Sequence, residues 1–483
     1  MHFIVKVFPE IIMKSAPVRK RFIKQLRDNL RHLLRPLGTE IRVLRDWEKV
    51  QIEAPGADEA LADQVADILA RTPGIANFAR VQTYPLGDMD DILAKTHQHW
   101  ADALAGKTFC VRVKRSGQHE FSSTDVERYV GGGLLHQSQA AGVDLHRPDI
   151  TVRLEIKADT LYVLTSRGEG LGGYPLGTQE GVLSLISGGF DSTVSTYLTI
   201  KRGMRTHYCF FNLGGRAHEI AVKQVAYFLW QKFGASHSVK FVTVPFEGVV
   251  AEILEHVDNA YMGVILKRMM LRAATDVAEA LKLPALVTGE SVAQVSSQTL
   301  PNLSVIDRVT DALVLRPLIT MDKGDIIDMS RRIGTETFAA EIPEYCGVIS
   351  VRPTTSARLH MVEKAEAKFD FSVLEQALAD RQVVDIQDLA STVEAELSAP
   401  VESVVPPGTV VIDIRHPDEV ELKPLSLGDI PVESIPFFRL NTQFQQLSTD
   451  ARYLLYCEKG IMSQLHAAHL RDGGHLNVGV YRP

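Results

Sequence analysis

The chain has 483 residues, 45% hydrophobic and 23% charged, with a formal net charge of −7; this is the composition of an ordinary globular protein, too long for one hydrophobic core, so several domains are expected. No apolar run reaches membrane-spanning length, and the opening MHFIVKVFPEIIMKS is interrupted by Pro9 and Glu10 and carries no cleavage pattern, so a cytoplasmic protein with no membrane partner is expected. Four cysteines are too few for a disulfide scaffold and match no zinc-ligand spacing, which leaves no expected metal site and only a catalytic role for any disulfide.

In chain order, the strand FIVKVFP precedes a helical run from Pro17 to Leu34, the strand-like EIRVLRDWEKVQIEA, and a helix around Ala57 to Arg71. This is a small α+β sandwich pattern. A helix then runs from about Asp90 through Leu104 and stops at Gly106, and the strand TFCVRVKRSG follows. Next comes the helix SSTDVERYVGGGLLHQ, in which Thr124 and Glu127 have capping-box spacing. ITVRLEIKADTLYVLTSR reads as a hairpin turned at Ala158 and Asp159, and GEGLGGYPLGTQEG reads as a glycine-rich hinge.

Overall negative charge argues against nucleic acid, but its distribution argues the other way. Lys14, Arg19, Lys20, Arg21, Lys24, Arg27, Arg31 and Arg35 cluster near the start, and Arg112, Lys114, Arg115 and His119 form a second group. Each alone reads first as a solvated helix face or a charged strand edge. Two such clusters in the same third of the chain point to RNA.

Gly168, Gly170 and Gly173 fit the spacing of a dinucleotide fingerprint, yet Tyr174 and Pro175 follow where a helix is required, so no cofactor role is expected there. SGGFDS, Ser187 to Ser192, meets the requirement: GVLSLI before it is a buried-strand run, and STVSTYLTIKRG after it is a helix closed by Gly203. Ser187, Gly188 and Gly189 let successive amides converge on an anion at a helix start. The lysine and threonine of a Walker A loop are absent. Asp191 is expected to act through magnesium or by positioning, and Ser192 as a hydrogen-bond donor. A tight turn with a capping Asp or Ser is the alternative reading.

Near the other end, STVEAELSAPVESVVPPG is acidic and proline-containing, and VVIDIR after it begins a new strand. The loop CEKGIMS, Cys457 to Ser463, follows the strand YLLY and precedes a helix. A sulfur there sits among backbone amides at a helix N-terminus, a setting that favours a thiolate and would stabilise a persulfide anion. Glu458, Lys459, Gly460 and Ser463 complete the loop. Cys110 and Cys209 lie inside apolar strands and are assigned to packing, whereas Cys346 in EYCGV reads equally as a small core residue. An ATP-type loop and a sulfur-carrying cysteine on one chain suggest ATP-driven thiolation.

SGGFDS resembles the loop of the PP-loop ATP pyrophosphatases. HYCFFNLGG, GVILKRMM, VTGES, SSQTL and PEYCGVIS resemble the tRNA 4-thiouridine synthetase, or tRNA sulfurtransferase, family over essentially the whole chain. The resemblance implies a multidomain α/β protein: a ferredoxin-like α+β domain over 1–62, a THUMP RNA-binding domain over 63–167, a hinge over 168–177, a doubly wound parallel-sheet PP-loop domain over 178–395, a linker over 396–404 and a rhodanese α/β domain over 405–483. It carries ATP contacts onto Leu185, Ile186, Lys267, Gly289 and Gln298. Without it, Lys267 reads as a snorkelling lysine on an amphipathic helix and Gln298 as a loop amide.

The same resemblance makes Cys346 the partner that forms a disulfide with Cys457 after sulfur delivery, and Asp413 and Arg415 parts of the rhodanese domain. It implies ATP with Mg²⁺, tRNA as substrate at the uridine of position eight, a cysteine desulfurase as donor and the sulfur-carrier protein of thiamine thiazole synthesis as a second acceptor; a homodimer is compatible with it. Two other classes stand beside this reading. A persulfide relay for thiazole synthesis alone needs Cys457 and tolerates Asp191→Ala, and an RNA-binding module with vestigial loops binds tRNA without releasing pyrophosphate.

Overall fold

The structure, a computed structural model, describes residues 1–45, 49–213, 215–342, 352–389, 400–415, 417–428, 430–458 and 460–483. The chain divides into two compact units, Met1–Pro175 and Leu176–Pro483.

The first unit is built on one mixed sheet of β1 (His2–Val7), β2 (Arg42–Arg45), β3 (Lys49–Glu53), β4 (Ile75–Pro85), β5 (Thr108–Ser116), β6 (Gly142–Val143), β7 (Ile150–Lys157) and β8 (Thr160–Glu169), in the order 2-3-1-4-8-7-5-6. Period-two alternation decides what each face does. On β1, Phe3, Val5 and Val7 join a core with Phe22, Ile23, Leu26 and Leu30 of the helix Ala16–Leu34 and Val65 and Leu69 of the helix Glu59–Ala70. Further along, Phe109, Val111, Val152 and Leu154 pack with Ile92 and Leu93 of the helix Met89–Trp100 and Val126, Val130 and Leu134 of the helix Ser123–Gln137.

These two cores correct the first domain division. Residue 62 falls inside the helix Glu59–Ala70, and the first core takes in Ile75 and Phe78, with Tyr174 from the end of the unit, whereas the second begins at Ile92. The capping box is also displaced: Ser122 and Asp125 form it, because the helix starts at Ser123, and Glu127 instead accepts from the Val113 amide at 2.8 Å. The turn at Ala158 is as expected, with a φ of 47°. Gly168 still belongs to β8, and no helix begins before the next strand, Gln179–Leu185, so the fingerprint spacing marks a strand end. A Cβ at Gly168 would lie 2.2 Å from the Phe78 ring, which explains glycine there by packing.

The second unit begins with β9 (Gln179–Leu185), β10 (Met204–Asn212), β11 (Lys240–Pro245), β12 (Ala285–Val287), β13 (Leu313–Leu315) and β14 (Gln382–Asp385), ordered 13-12-9-10-11-14. All pairings are parallel except that of β14, which runs antiparallel along β11. Near-continuous apolar runs such as Tyr208–Phe211 and Phe241–Val244 reflect burial on both faces.

A smaller parallel sheet follows: β15 (Val401–Glu402), β16 (Thr409–Asp413), β17 (Val432–Ser434), β18 (Arg452–Tyr456) and β19 (Val478–Tyr481), ordered 15-19-18-16-17. Val401 and Glu402 pair with Val480 and Tyr481, so this part of the expected linker is a strand, while residues 396–399 lie outside the described residues. The helices Gly215–Leu229 and Ile461–Asp472 bring the two sheets of this unit into contact. Rings of Phe228, Phe338 and Phe437 lie 5.3–5.5 Å apart at this junction. Among the described residues, no helix is long and apolar enough to cross a membrane.

Candidate active site

Chemistry in an open parallel sheet belongs at the carboxyl ends of its strands. β9 ends at Leu185, and the Ile186 amide still donates to the Cys209 carbonyl at 2.9 Å. The chain then turns sharply through Gly188, at φ +84°, and Gly189 opens the helix Phe190–Lys201. Ser192 closes this loop: its hydroxyl accepts from the Ser187 amide at 3.2 Å and donates to the Gly189 carbonyl at 3.1 Å. Its donor capacity is directed onto the loop's own backbone.

Asp191 is held on both oxygens, by Lys323 Nζ at 2.8 Å and by Gln294 Nε2 at 2.7 Å. Lys323 opens the helix Lys323–Ile333, and its ammonium lies 5.6 Å from the centre of the Phe190 ring. Sequence reasoning missed both partners. They are separated from Asp191 by more than a hundred residues, and no local spacing signals them.

VTGES follows β12, whose Val287 pairs with Ser184 of β9, so the two loops are neighbours. A Cβ on Gly289 would meet the Asp191 carbonyl carbon at 2.7 Å and the Ser192 nitrogen at 2.8 Å. Glycine there permits a backbone-to-backbone approach between the two loops. Lys267, on the helix Met262–Ala280, donates to Glu290 at 2.7 Å, and Arg316 Nε reaches the other Glu290 oxygen at 2.7 Å. Burial alone would raise the Glu290 carboxyl, but Lys267 and Arg316 outweigh it and hold the group at about 2. Gln298 accepts from the Ser291 amide at 3.3 Å. Leu185, Ile186, Ser187, Gly188, Gly189, Asp191, Ser192, Lys267, Gly289 and Gln298 thus assemble around one strand end. Among the described residues, no cluster of three or more His, Cys, Asp or Glu side chains is placed to hold a metal.

Cys457 follows β18 at the carboxyl end of the smaller sheet. Its carbonyl accepts from the Gly460 amide at 3.1 Å, and Gly460, at φ +73°, opens the helix Ile461–Asp472. The Ser463 amide donates to Sγ at 3.4 Å. The Ser463 hydroxyl lies 3.5 Å from Sγ but donates to the Gly460 carbonyl at 3.0 Å, so the amide is the donor that faces the sulfur. Glu458 points away, to Lys423 at 2.9 Å. The Arg482 side chain lies beside Gly460, a neighbour the sequence did not suggest.

Beneath the loop, Arg415 forks onto buried Asp413 at 2.6–3.2 Å and lies 5.2 Å from the Tyr456 ring centre. Burial, with the nearness of Cys457, pushes the Tyr227 phenol up. Cys110 and Cys209 are buried as expected, and burial pushes the Cys209 thiol up to about 12. Cys346 and Lys459 lie outside the described residues.

In the first unit, Arg112 and Lys114 line a cavity of about 550 Å³ together with Lys6, Arg153 and Arg167, on the sheet face away from the helices. Arg115 does not join them. Alternation turns it to the opposite face, where it donates to the Gly117 carbonyl at 3.2 Å and lies 2.8 Å from His119 Nδ1.

Family models match three stretches of the chain: a ThiI ferredoxin-like domain over residues 2–79, a THUMP domain over 87–166 and Thiamine biosynthesis protein (ThiI) over 177–371. Fold and matches together define a multidomain α/β protein with ferredoxin-like, THUMP and PP-loop domains. A tRNA sulfurtransferase of Saccharophagus degradans is 55% identical over 100% of both chains, and one of Pseudomonas paraeruginosa is 56% identical, again over 100% of both. A crystal structure of a 4-thiouridine synthetase–RNA complex with bound ATP aligns with a TM-score of 0.69 at 26% identity, covering 80% of this chain and 99% of that one. The chain belongs to the tRNA sulfurtransferase family.

Proposed function

We propose that this enzyme thiolates tRNA at the uridine of position eight, giving 4-thiouridine, in two half-reactions, the first driven by ATP. The observation that carries the reading is the presence, on one compact unit, of two loops of complementary chemistry: SGGFDS with its clamped Asp191, and Cys457 beneath the Ser463 amide. In the first half-reaction ATP binds at Ser187–Ser192, the uridine carbonyl oxygen attacks the α-phosphorus and pyrophosphate leaves. Lys323 and Gln294 hold Asp191 in place, which favours positioning over metal ligation as its role. Magnesium in this reading arrives with the ATP phosphates as part of the substrate.

In the second half-reaction the terminal sulfur of a Cys457 persulfide attacks the activated carbon and AMP departs. Cys346 then attacks Cys457 Sγ, the disulfide forms, the electron pair goes to the uridine sulfur, and a cellular reductant reopens the disulfide. Release of sulfide from the persulfide before attack is the other order. The C-terminal sheet acts as a rhodanese-type domain loaded by a cysteine desulfurase in the cytoplasm, and it also serves the sulfur-carrier protein of thiazole synthesis. The open basic face with Lys6, Arg112 and Lys114 binds tRNA phosphates.

The test is mass spectrometry of nucleosides from tRNA incubated with the protein, ATP, cysteine and a desulfurase. 4-Thiouridine is expected with the unsubstituted chain and absent with Cys457→Ser and Asp191→Ala. Thiolation that survives Asp191→Ala overturns the adenylation step. Thiazole sulfur transfer without tRNA thiolation leaves only the relay.

A further inference from the structure

Glu290 is 7% exposed, a depth at which a carboxylate costs several kcal/mol unless paired. It accepts from three donors. Lys267 and Arg316 each take one of its oxygens at 2.7 Å, and the Thr288 hydroxyl donates to it at 3.1 Å. Arg316 is itself forked onto Asp307 at 2.5 and 2.9 Å, so its guanidinium is held from two sides and fixes where Glu290 sits. The four charges of Asp307, Arg316, Glu290 and Lys267 sum to zero, and they form a chain with one open end. That end is Lys267: among the described residues Glu290 is its one carboxylate partner, and 21% of its side chain is exposed. An ammonium has three donors, and this pairing uses one.

The place of the relay is as informative as its wiring. Gly289, the residue before the carboxylate, is seated against the Asp191–Ser192 peptide at the start of the loop helix. The relay is therefore anchored one residue from the loop that the proposed function gives to ATP. A buried pair kept only for stability is commonly replaced by apolar residues at no loss. A lysine that must present one ammonium at one point needs its four-carbon stem immobilised.

We infer that Glu290 is a positioning residue of the nucleotide site: anchored by Arg316 and Asp307, it fixes the Lys267 ammonium at the edge of the SGGFDS loop, where it meets the ATP phosphates. This rests on the adenylation reading above. Simple charge logic makes the opposite forecast, because removing a carboxylate beside a polyphosphate site should tighten ATP binding.

The experiment measures pyrophosphate release by the full chain with tRNA as ATP is varied. Glu290→Gln is expected to raise the KM for ATP about tenfold, the scale of one charge-assisted contact, and Glu290→Asp to recover part of it. In a Lys267→Met background Glu290→Gln is expected to add no further effect, since the residue acts through that lysine. An unchanged or lower KM in Glu290→Gln, or effects that simply add, overturns the inference. Should Glu290→Gln fail to fold, Glu290→Asp decides: a raised KM with unchanged melting supports positioning, and an unchanged KM overturns it. Absence of pyrophosphate release by the unsubstituted chain instead removes the adenylation reading beneath it.

Discussion

Replacing Gly289 with alanine would put a methyl carbon 2.7 Å from the Asp191 carbonyl carbon, 2.8 Å from the Ser192 nitrogen and 2.9 Å from the Asp191 oxygen. Carbon atoms rest at about 3.5–4.0 Å, so the overlap is roughly 1 Å. The atoms in the way are backbone at a helix start and cannot rotate aside. Gly289 is not among the glycines at positive φ, so alanine is conformationally allowed and the perturbation is steric alone. Overpacking of this kind costs about 1–3 kcal/mol, which for a unit of this size lowers melting by about 2–6 °C. Relief of the clash moves the SGGFDS loop, and a shift of about 1 Å at a reacting centre costs up to about 100-fold in rate. Scanning calorimetry and ATP-dependent pyrophosphate release measure the two effects on one preparation. Melting within about 1 °C of the unsubstituted protein with full turnover would refute the close approach, on a scale where one overpacked methyl costs about 1 kcal/mol or more.

Ser463→Ala keeps the amide that faces Cys457 and loses only the hydroxyl held by Gly460. A loss of about fivefold in tRNA thiolation is expected, on the scale of one hydrogen bond, and a loss as complete as that of Cys457→Ser would show that the hydroxyl serves the sulfur. His466 is buried with neither ring nitrogen bonded among the described residues, and burial pushes it down to about 3. Above pH 6.5 both states are neutral; below it the unfolded chain takes a proton that the fold refuses until about pH 3. Stability therefore falls across that window, by about 1 kcal/mol at pH 5.5. His466→Leu is expected to flatten, though not abolish, the decline in melting temperature between pH 7.5 and 5.5, because His207 is also held down, at about 4; equal slopes in both proteins contradict the assignment. Lys114→Ala is expected to weaken tRNA binding and reduce its salt dependence by about one counterion, while Arg115→Ala, on the opposite face, leaves the slope unchanged; the reverse ranking would move the RNA site to the helical side.

Legibility in the sequence followed the range of the interactions involved. SGGFDS and CEKGIMS announced themselves because strand, small-residue turn and helix start are contiguous, and the structure places both as expected. The helix Ala16–Leu34 and strands β5, β9 and β18 were likewise visible from apolar period. What escaped depends on contacts between distant residues. Lys323 and Gln294 meet Asp191 only because separate loops converge at one sheet edge. The approach of Gly289 to the Asp191–Ser192 backbone was hidden because glycine identity shows that something comes close without saying what. Residues Arg112, Lys114 and Arg115 read as one basic patch until the pleat separated them. The early domain edge failed because a helix crossing residue 62 shares its core with strands on both sides of it in sequence.

The eight-stranded sheet of the first unit gives its two family-matched halves a common spine. β4 carries it: residues Ile75–Arg80 pair with β1 on one side, while Asn77–Pro85 pair with β8 on the other, so a single strand is stitched into both cores. Cutting the chain in the stretch that separates the two family matches would break β4 itself, divide the buried cluster of Ile4, Ala79, Val81 and Leu164 and part Tyr174 from the first core, and it would bare ladders of unsatisfied amides and carbonyls. Such edges recruit other chains. The ferredoxin-like and THUMP halves are thus separable as sequence patterns but not as independently soluble pieces, and shuffling one onto a foreign partner requires carrying the other along or supplying a substitute strand.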